Sequence, residues 1–432
     1  MASIGLHSTL IGERPAPSGV VAAVILLLFL LAALFSAQRK DVTQGFDEVA
    51  HLSYVAQLQQ SGEFWPRLES LRLIDPTSFR FTDTPNYLNH PPYYYWLLAQ
   101  VGPRLEGNPG AALVHRLFNV LIATLGLAAL LSLGLAARFE RMQFYAYAVP
   151  LFCIPVLAPI AGSVNTDNAV FAGGALATLG AWQFAATEKT KWLGAMLAGL
   201  LVASWAKFTG CMLTGGLVGG VLLYLFWRQH LPVKWLLPAG LALLIALAPY
   251  AIFFAQYGSP TPDTPGLEAM LRDGARAMGW ADAPRLSLPA YAVHFVSDFV
   301  AGWMPTLAPR SALNYAALVL PVAALLCALA GLTVSLRRVR HREEMPLDVL
   351  VVAGMAAIAV TLACHIAFSY RHHLTTGWML EAYPRYYLPL AAIVPLAGLS
   401  LLAAVQQPRW RNALLAVLIG GPILFRIFGA PL

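Results

Sequence analysis

Long apolar runs separated by short polar breaks dominate the chain, near 20–37, 112–137, 143–161, 169–186, 192–206, 209–227, 235–254, 313–336, 347–369, 387–405 and 412–429. Each is close to the roughly 20 residues that cross a hydrocarbon core as a helix. The pattern therefore predicts an all-α, polytopic membrane protein with about eleven transmembrane helices. The run from Trp192 to Trp227 holds a single charge, Lys207, and is divided there because Lys207-Phe208-Thr209-Gly210 can turn the chain.

Three longer polar segments interrupt the runs, at 38–111, 255–312 and 370–386. In the first, Asp47 to Ser61 has helical spacing with Val49, Leu52, Val55, Ala56 and Leu58 apolar, which predicts a juxtamembrane helix lying along the bilayer surface. The second carries two weakly amphipathic stretches, near Gly266 to Met278 and Leu288 to Trp303, and reads as a lid-like loop in which His294 and Asp298 fall one turn apart. The whole of 1–432 reads as one transmembrane domain without a separate C-terminal soluble domain. Arg14 precedes the first apolar run, but that run has no A-x-A site before Gln38, so it reads as a retained anchor.

Composition agrees with the pattern: 58% of 432 residues are hydrophobic and 11% charged, with a mean hydropathy of +0.64, more apolar surface than a soluble core of this length can hide. Charge sets the orientation. With the N-terminus inside, the short loops hold 13 of the 28 basic residues and 6 of the 21 acidic ones, so the whole net charge of +7 lies on one side. That is the positive-inside bias, and nucleic acid is not needed to explain it. The three long segments then lie outside, which makes the exterior the working face. Cys153, Cys211, Cys327 and Cys364 fall in the predicted spans and read as small packing residues.

Candidate chemistry concentrates on that face. Gly45-Phe46-Asp47-Glu48-Val49-Ala50-His51 places two carboxylates beside the bilayer, where they are costly unless they face water, a pocket or a partner. On a helix, Asp47 and His51 share a face and Glu48 points elsewhere. Asp47 could accept a proton from a hydroxyl, with His51 orienting it or sharing a metal; equally, the acidic pair could serve the helix dipole. His90 is held extended by Pro91 and Pro92, which suit the first turn of a helix, so its backbone would aim it at the pocket. The following Tyr93, Tyr94, Tyr95 and Trp96 read as interfacial aromatics. Asn165-Thr166-Asp167-Asn168 reads as a short turn between spans, where Asp167 could pair with Asp47 or hold a sugar hydroxyl. Arg371 and Arg385, the latter followed by Tyr386, suit an anionic leaving group because a guanidinium holds phosphate through two parallel donors. Lys207 is a second cation at the same boundary, where snorkelling to the interface also accounts for it.

In this order, Asp47, Glu48 and His51, then His90-Pro91-Pro92, Asn165-Thr166-Asp167 and Arg385-Tyr386-Tyr387-Leu388-Pro389 resemble the polytopic glycosyltransferases of the C-type fold, nearest to the protein O-mannosyltransferase and lipid A aminoarabinose transferase group. The resemblance implies a polyprenyl-phosphate sugar donor, most simply undecaprenyl phosphate in a bacterial inner membrane. Transfer would go to a lipid, glycan or protein hydroxyl on the periplasmic face, with inversion. It makes Asp47, with Glu48 beside it, the catalytic acid pair, and His51, His90, Asp167, Lys207, Arg371, Arg385 and Tyr386 the substrate- and phosphate-binding set. No cofactor is assigned, and a divalent cation held by Asp47, Asp167, His51, His372 or His373 is left open, since no pair has a diagnostic metal spacing. Many relatives carry a soluble domain after the last span, and the acceptor is correspondingly open. A transporter or flippase of a lipid-linked glycan would also use many helices, but no internal repeat is present; an O-antigen ligase or polymerase would use a diphosphate donor.

Overall fold

The computed structural model describes residues 16–228, 232–302, 319–343 and 345–428. Arg14, the end of the lid-like segment with Trp303, and the start of the 313–336 run lie outside the described residues. In chain order the helices are α1 (Ala16–Arg39), α2 (Glu48–Ser61), α3 (Tyr93–Val101), α4 (Ala111–Ala136), α5 (Arg141–Phe152), α6 (Leu157–Ala161), α7 (Thr166–Thr187), α8 (Thr190–Ala206), α9 (Phe208–Trp227), α10 (Leu236–Tyr257), α11 (Pro265–Ala277), α12 (Leu288–Ala301), α13 (Val319–His341), α14 (Pro346–Thr376), α15 (Ile393–Ala404), α16 (Pro408–Leu415) and α17 (Gly421–Phe428).

Among the described residues, eight helices are long and apolar enough to cross a membrane. A ninth span forms if the 3-10 turn Pro384–Leu390 and α15 are joined across their 61° bend. The chain is a helical, multi-pass membrane protein, and the expected count of eleven is not reached for two physical reasons. The 143–161 run breaks into α5 and α6 where Pro150, Pro155 and Pro159 crowd the backbone. The 192–206 run forms α8, a helix of 17 residues, because Lys207 takes an extended backbone and starts α9 immediately.

One further expectation is corrected. Helix α2 does not lie along a surface: Ala50, His51, Leu52, Ser53, Tyr54, Val55, Ala56 and Leu58 are buried around its circumference. Between α2 and α3 the chain forms a small antiparallel hairpin, β1 (Arg72–Ile74) with β2 (Phe81–Pro85), and Ser53 Oγ accepts the Ile74 N–H at 2.9 Å to fix it on α2.

Helices α7 and α8 pack closely along small residues, as membrane helices commonly do. A Cβ on Gly173 would meet the Ala203 backbone nitrogen at 2.6 Å, and one on Gly174 would strike the backbone of Pro389. Gly174 thus lets the Pro384–Leu390 turn rest on α7, near the start of which Asp167 sits.

Candidate active site

At one end of the bundle a cavity of about 230 Å³ opens between the 45–90 region, the α8–α9 junction, α11, α14 and the Tyr383–Tyr386 turn. Its lining combines polar residues, among them Asp47, His51, His90, Lys207, Arg385 and Tyr386, with the apolar side chains of Phe208, Met212, Leu267, Met270, Leu271 and Phe368.

Asp47 is the N-cap residue of α2, yet its side chain makes no capping bond. Its backbone is left-handed (φ 60°), a conformation that non-glycine residues adopt rarely and that concentrates at functional sites. The carboxylate turns away from its own helix: Oδ2 accepts from Arg385 at 2.5 Å, and Oδ1 accepts from the Tyr87 hydroxyl at 3.1 Å. Burial pushes the Asp47 carboxyl up, but Arg385, with Lys207 and Tyr87 in support, outweighs it and holds the group below the usual carboxylate range. The helix-dipole role therefore gives way to a cross-structure ion pair.

Asp167 stands in the first turn of α7, whose start is fixed by Asn165: its side chain accepts the Asp167 N–H at 2.8 Å and donates to the Phe46 carbonyl at 2.6 Å. This is a capped helix start, not a free turn. Asp167 is 2% exposed; its Oδ1 accepts from Lys207 Nζ at 2.9 Å, and its Oδ2 lies 3.4 Å from Arg385 Nε, an ion-pair contact without a hydrogen bond. Lys207 does not snorkel. It is buried, with its ammonium 3.4 Å from the centroid of the Tyr386 ring. Arg385 lies over Phe46, Tyr383 and Tyr386. Lys207, Asp167, Arg385 and Asp47 thus form a row of alternating charge with Arg385 shared by both acids; Lys207, Arg385 and Asp47 line the cavity, and Asp167 is buried outside its lining.

Glu48 is not part of this group. It is fully buried and points to α4, where Arg116 donates Nε and Nη2 to its two oxygens at 2.8 and 2.7 Å, and the Val164 N–H adds a third bond at 2.8 Å. Arg116 Nη1 also donates to the Ala37 and Lys40 carbonyls at the end of α1. Arg371 is likewise set apart, on the exposed rim, where it binds Asp263 at 2.7 Å. Beside it His372 bridges Asp263 (3.0 Å) and Glu381 (2.8 Å), while His373 accepts the Leu286 N–H. His294 and Asp298 pair with each other on α12, outside the cavity lining.

His51 and His90 both reach the cavity. Of the aromatic run, Tyr94 and Tyr95 are buried instead of interfacial: Tyr94 donates to Asn119 at 2.7 Å, and the Tyr95 hydroxyl lies 2.8 Å from His51 Nδ1. Sequence reasoning missed Tyr87, Asp263, His365 and Glu381 among the lining residues, and Arg116 behind them. Arg116 and His365 carried a signal, each being an ionisable residue inside an apolar run. Among the described residues, no three His, Cys, Asp or Glu side chains gather where they could hold one metal ion; Asp47 and Asp167 are each neutralised by Arg385 or Lys207.

No protein-family model and no curated protein matches the sequence. Among solved structures the chain is similar to ArnT from Cupriavidus metallidurans. With ArnT bound to undecaprenyl phosphate the identity is 15% and the TM-score 0.49, over 93% of this chain and 62% of that one. With ArnT in the apo state they are 16% and 0.39, over 84% and 78%. This chain thus spans less than two thirds of the first ArnT chain's length.

Proposed function

We propose that this protein is a glycosyltransferase that moves a sugar from a polyprenyl-phosphate donor to an acceptor hydroxyl, with its cavity on the periplasmic face of a bacterial inner membrane. One observation carries the reading: Arg385, shared between Asp47 and Asp167 and flanked by Lys207, lines a cavity that also presents Phe208, Met212, Leu267, Met270, Leu271 and Phe368. A lipid phosphate needs both kinds of lining. Its anion matches two fixed cations, one of them a planar fork, and its isoprenoid chain matches the apolar side chains.

Before the donor arrives, Asp47 is a weak base because Arg385 favours its charged form. A phosphate that takes over Arg385 and Lys207 releases Asp47 and raises its basicity where it is needed. Asp47 then accepts the acceptor's hydroxyl proton while that oxygen attacks the anomeric carbon. The bond from the anomeric carbon to the phosphate oxygen breaks, its electron pair stays on the phosphate, and Arg385 and Lys207 stabilise the charge that develops there. Asp167 stays on Lys207 and holds it in place. Helix α11, tethered through Asp263 to α14 and through the Pro262 carbonyl to Asn89, serves as a cover over the reacting groups.

The test is turnover of radiolabelled polyprenyl monophosphate and diphosphate sugars by purified protein in mixed detergent and lipid, with and without chelator. Sugar release from monophosphate donors, dependent on an acceptor alcohol, is expected. Transport of an intact donor across vesicles without cleavage, or activity with diphosphate donors alone, would overturn the assignment.

A further inference from the structure

Next to the cation-lined floor, the cavity has a second polar surface that the chemistry above leaves unused. His51, in the first turn of α2, and His90, just before α3, both line it, with rings 6.0 Å apart and 27° from parallel. Tyr95 stacks on His51 at 5.7 Å, and Tyr54 stacks on Tyr95 at 4.1 Å while donating to the His90 carbonyl. Four rings therefore form one stack that holds the two imidazoles still. The Tyr95 hydroxyl occupies His51 Nδ1, so in either tautomer of a neutral ring Nε2 is left as the nitrogen to meet a ligand.

Burial, then the nearby cations Lys207 and Arg385, keeps the His51 imidazole well below its ordinary basicity, and His90 is suppressed in the same way, first by burial and then by Lys207 and His51. Uncharged imidazoles add little to binding a phosphate that already has two cations. They suit uncharged hydroxyls, for which each offers a donor or an acceptor.

We propose that His51 and His90 form the sugar subsite, binding ring hydroxyls of the transferred sugar while Arg385 and Lys207 bind the phosphate, and that Tyr95 is the positioning residue that fixes His51. The proposal rests on the lipid-phosphate-sugar reading and names the residues that select the sugar. The His51 N–H donates to the Asp47 carbonyl at 3.1 Å, so the subsite and the base are rigidly linked through one helical turn. Selectivity follows because a buried polar group left unpaired by the wrong sugar costs more than a correct bond gains.

The experiment measures Kd for undecaprenyl phosphate alone and for a panel of undecaprenyl-phosphate monosaccharides, on wild type and on His51→Phe, His51→Gln, His90→Phe and Tyr95→Phe. The ratio of the two affinities isolates the sugar. Wild type is expected to bind one sugar donor about tenfold more tightly than the bare lipid phosphate. His51→Phe and His90→Phe should erase that gain and leave the bare-lipid Kd within about twofold. Tyr95→Phe should lose part of it, and His51→Gln, which keeps a nitrogen donor, should restore part of it. A loss of bare-lipid affinity equal to the loss of donor affinity, or an unchanged ratio in all four variants, would overturn the subsite. Wild type that binds neither lipid would instead overturn the lipid-phosphate reading itself, so the two failures are distinct.

Discussion

Replacing Glu48 by Gln should destabilise the protein without touching the chemistry, although Glu48 is the neighbour of the proposed base. The Glu48 carboxylate receives three N–H groups, two from Arg116 and one from Val164, and neither partner of the ion pair has appreciable access to water (side chains 0% and 7% exposed). A glutamine keeps one acceptor oxygen and turns an amide N–H₂ toward a guanidinium, so one donor–acceptor contact becomes donor against donor. Arg116 is left as a buried charge without a counterion, which costs about 3–5 kcal/mol. That is a large part of a typical net stability of roughly 5–15 kcal/mol. Asp47→Asn is the contrast. Its side chain is 38% exposed and Arg385 keeps Asp167 as a counterion, so Asp47→Asn should destabilise less than Glu48→Gln, while loss of the base should lower turnover by roughly 100-fold or more. Fluorescence-monitored thermal unfolding in detergent, run beside turnover on the same preparations, separates the two. The double variant Glu48→Gln/Arg116→Met, which removes the stranded charge as well, should recover stability. Wild-type unfolding of Glu48→Gln together with a turnover loss as deep as that of Asp47→Asn would refute the argument and return Glu48 to the reaction.

Arg385→Lys conserves charge but cannot span Asp47 and Asp167 or fork onto a phosphate, so donor affinity and turnover should both fall by at least tenfold; Arg371→Lys, on the rim, should change either by less than about threefold, and equal tolerance at both sites would remove Arg385 from phosphate binding. Lys40 has its amine lowered to about 8 from 10.5, by burial first, against the pull of Glu48. Between those values the unfolded chain binds more protons there than the folded one, so this group's contribution to stability should rise with pH through that window; amine-reagent labelling of Lys40 should show a midpoint near 8, and one near 10.5 would mean the amine is fully hydrated. Cysteines introduced at the exposed positions Gln44, Asp282 and Thr375 should react with an impermeant thiol reagent in intact cells and one at Arg342 only after lysis; the reverse pattern would invert the proposed orientation.

Much of this was legible from the chain. Apolar runs gave the helices because a hydrocarbon core demands some twenty apolar residues per crossing, a strong and local constraint. Local backbone rules also located Asp47, His90 and Asp167, since each adjoins a helix start. What the chain hid was partnership. Glu48 meets Arg116 from 68 positions away, and Arg385 meets Asp47 across 338; no periodicity encodes such pairs. Hydropathy averages over a window and does not register the break between α5 and α6 near Pro150, Pro155 and Pro159, so it yields one span there where the described residues form two short helices. Composition does not distinguish the buried Tyr94 and Tyr95 from interfacial rings, because it is the same whether a ring faces lipid or fills a gap behind a histidine.

The left-handed backbone at Asp47 also restricts what can ever replace it. Asn and Asp are the side chains that tolerate this conformation best after glycine, and β-branched residues tolerate it worst. Alanine, the customary probe, would add backbone strain to the loss of the carboxylate and so confound two effects. Glutamate would keep the acid but at a position one methylene too long, on a backbone it dislikes. The conformation and the proposed chemistry thus select the same residue independently. A saturation scan of position 47 should show Asn and Gly as folded but inactive and most other substitutions as poorly expressed, a pattern set by a dihedral angle before any substrate is bound.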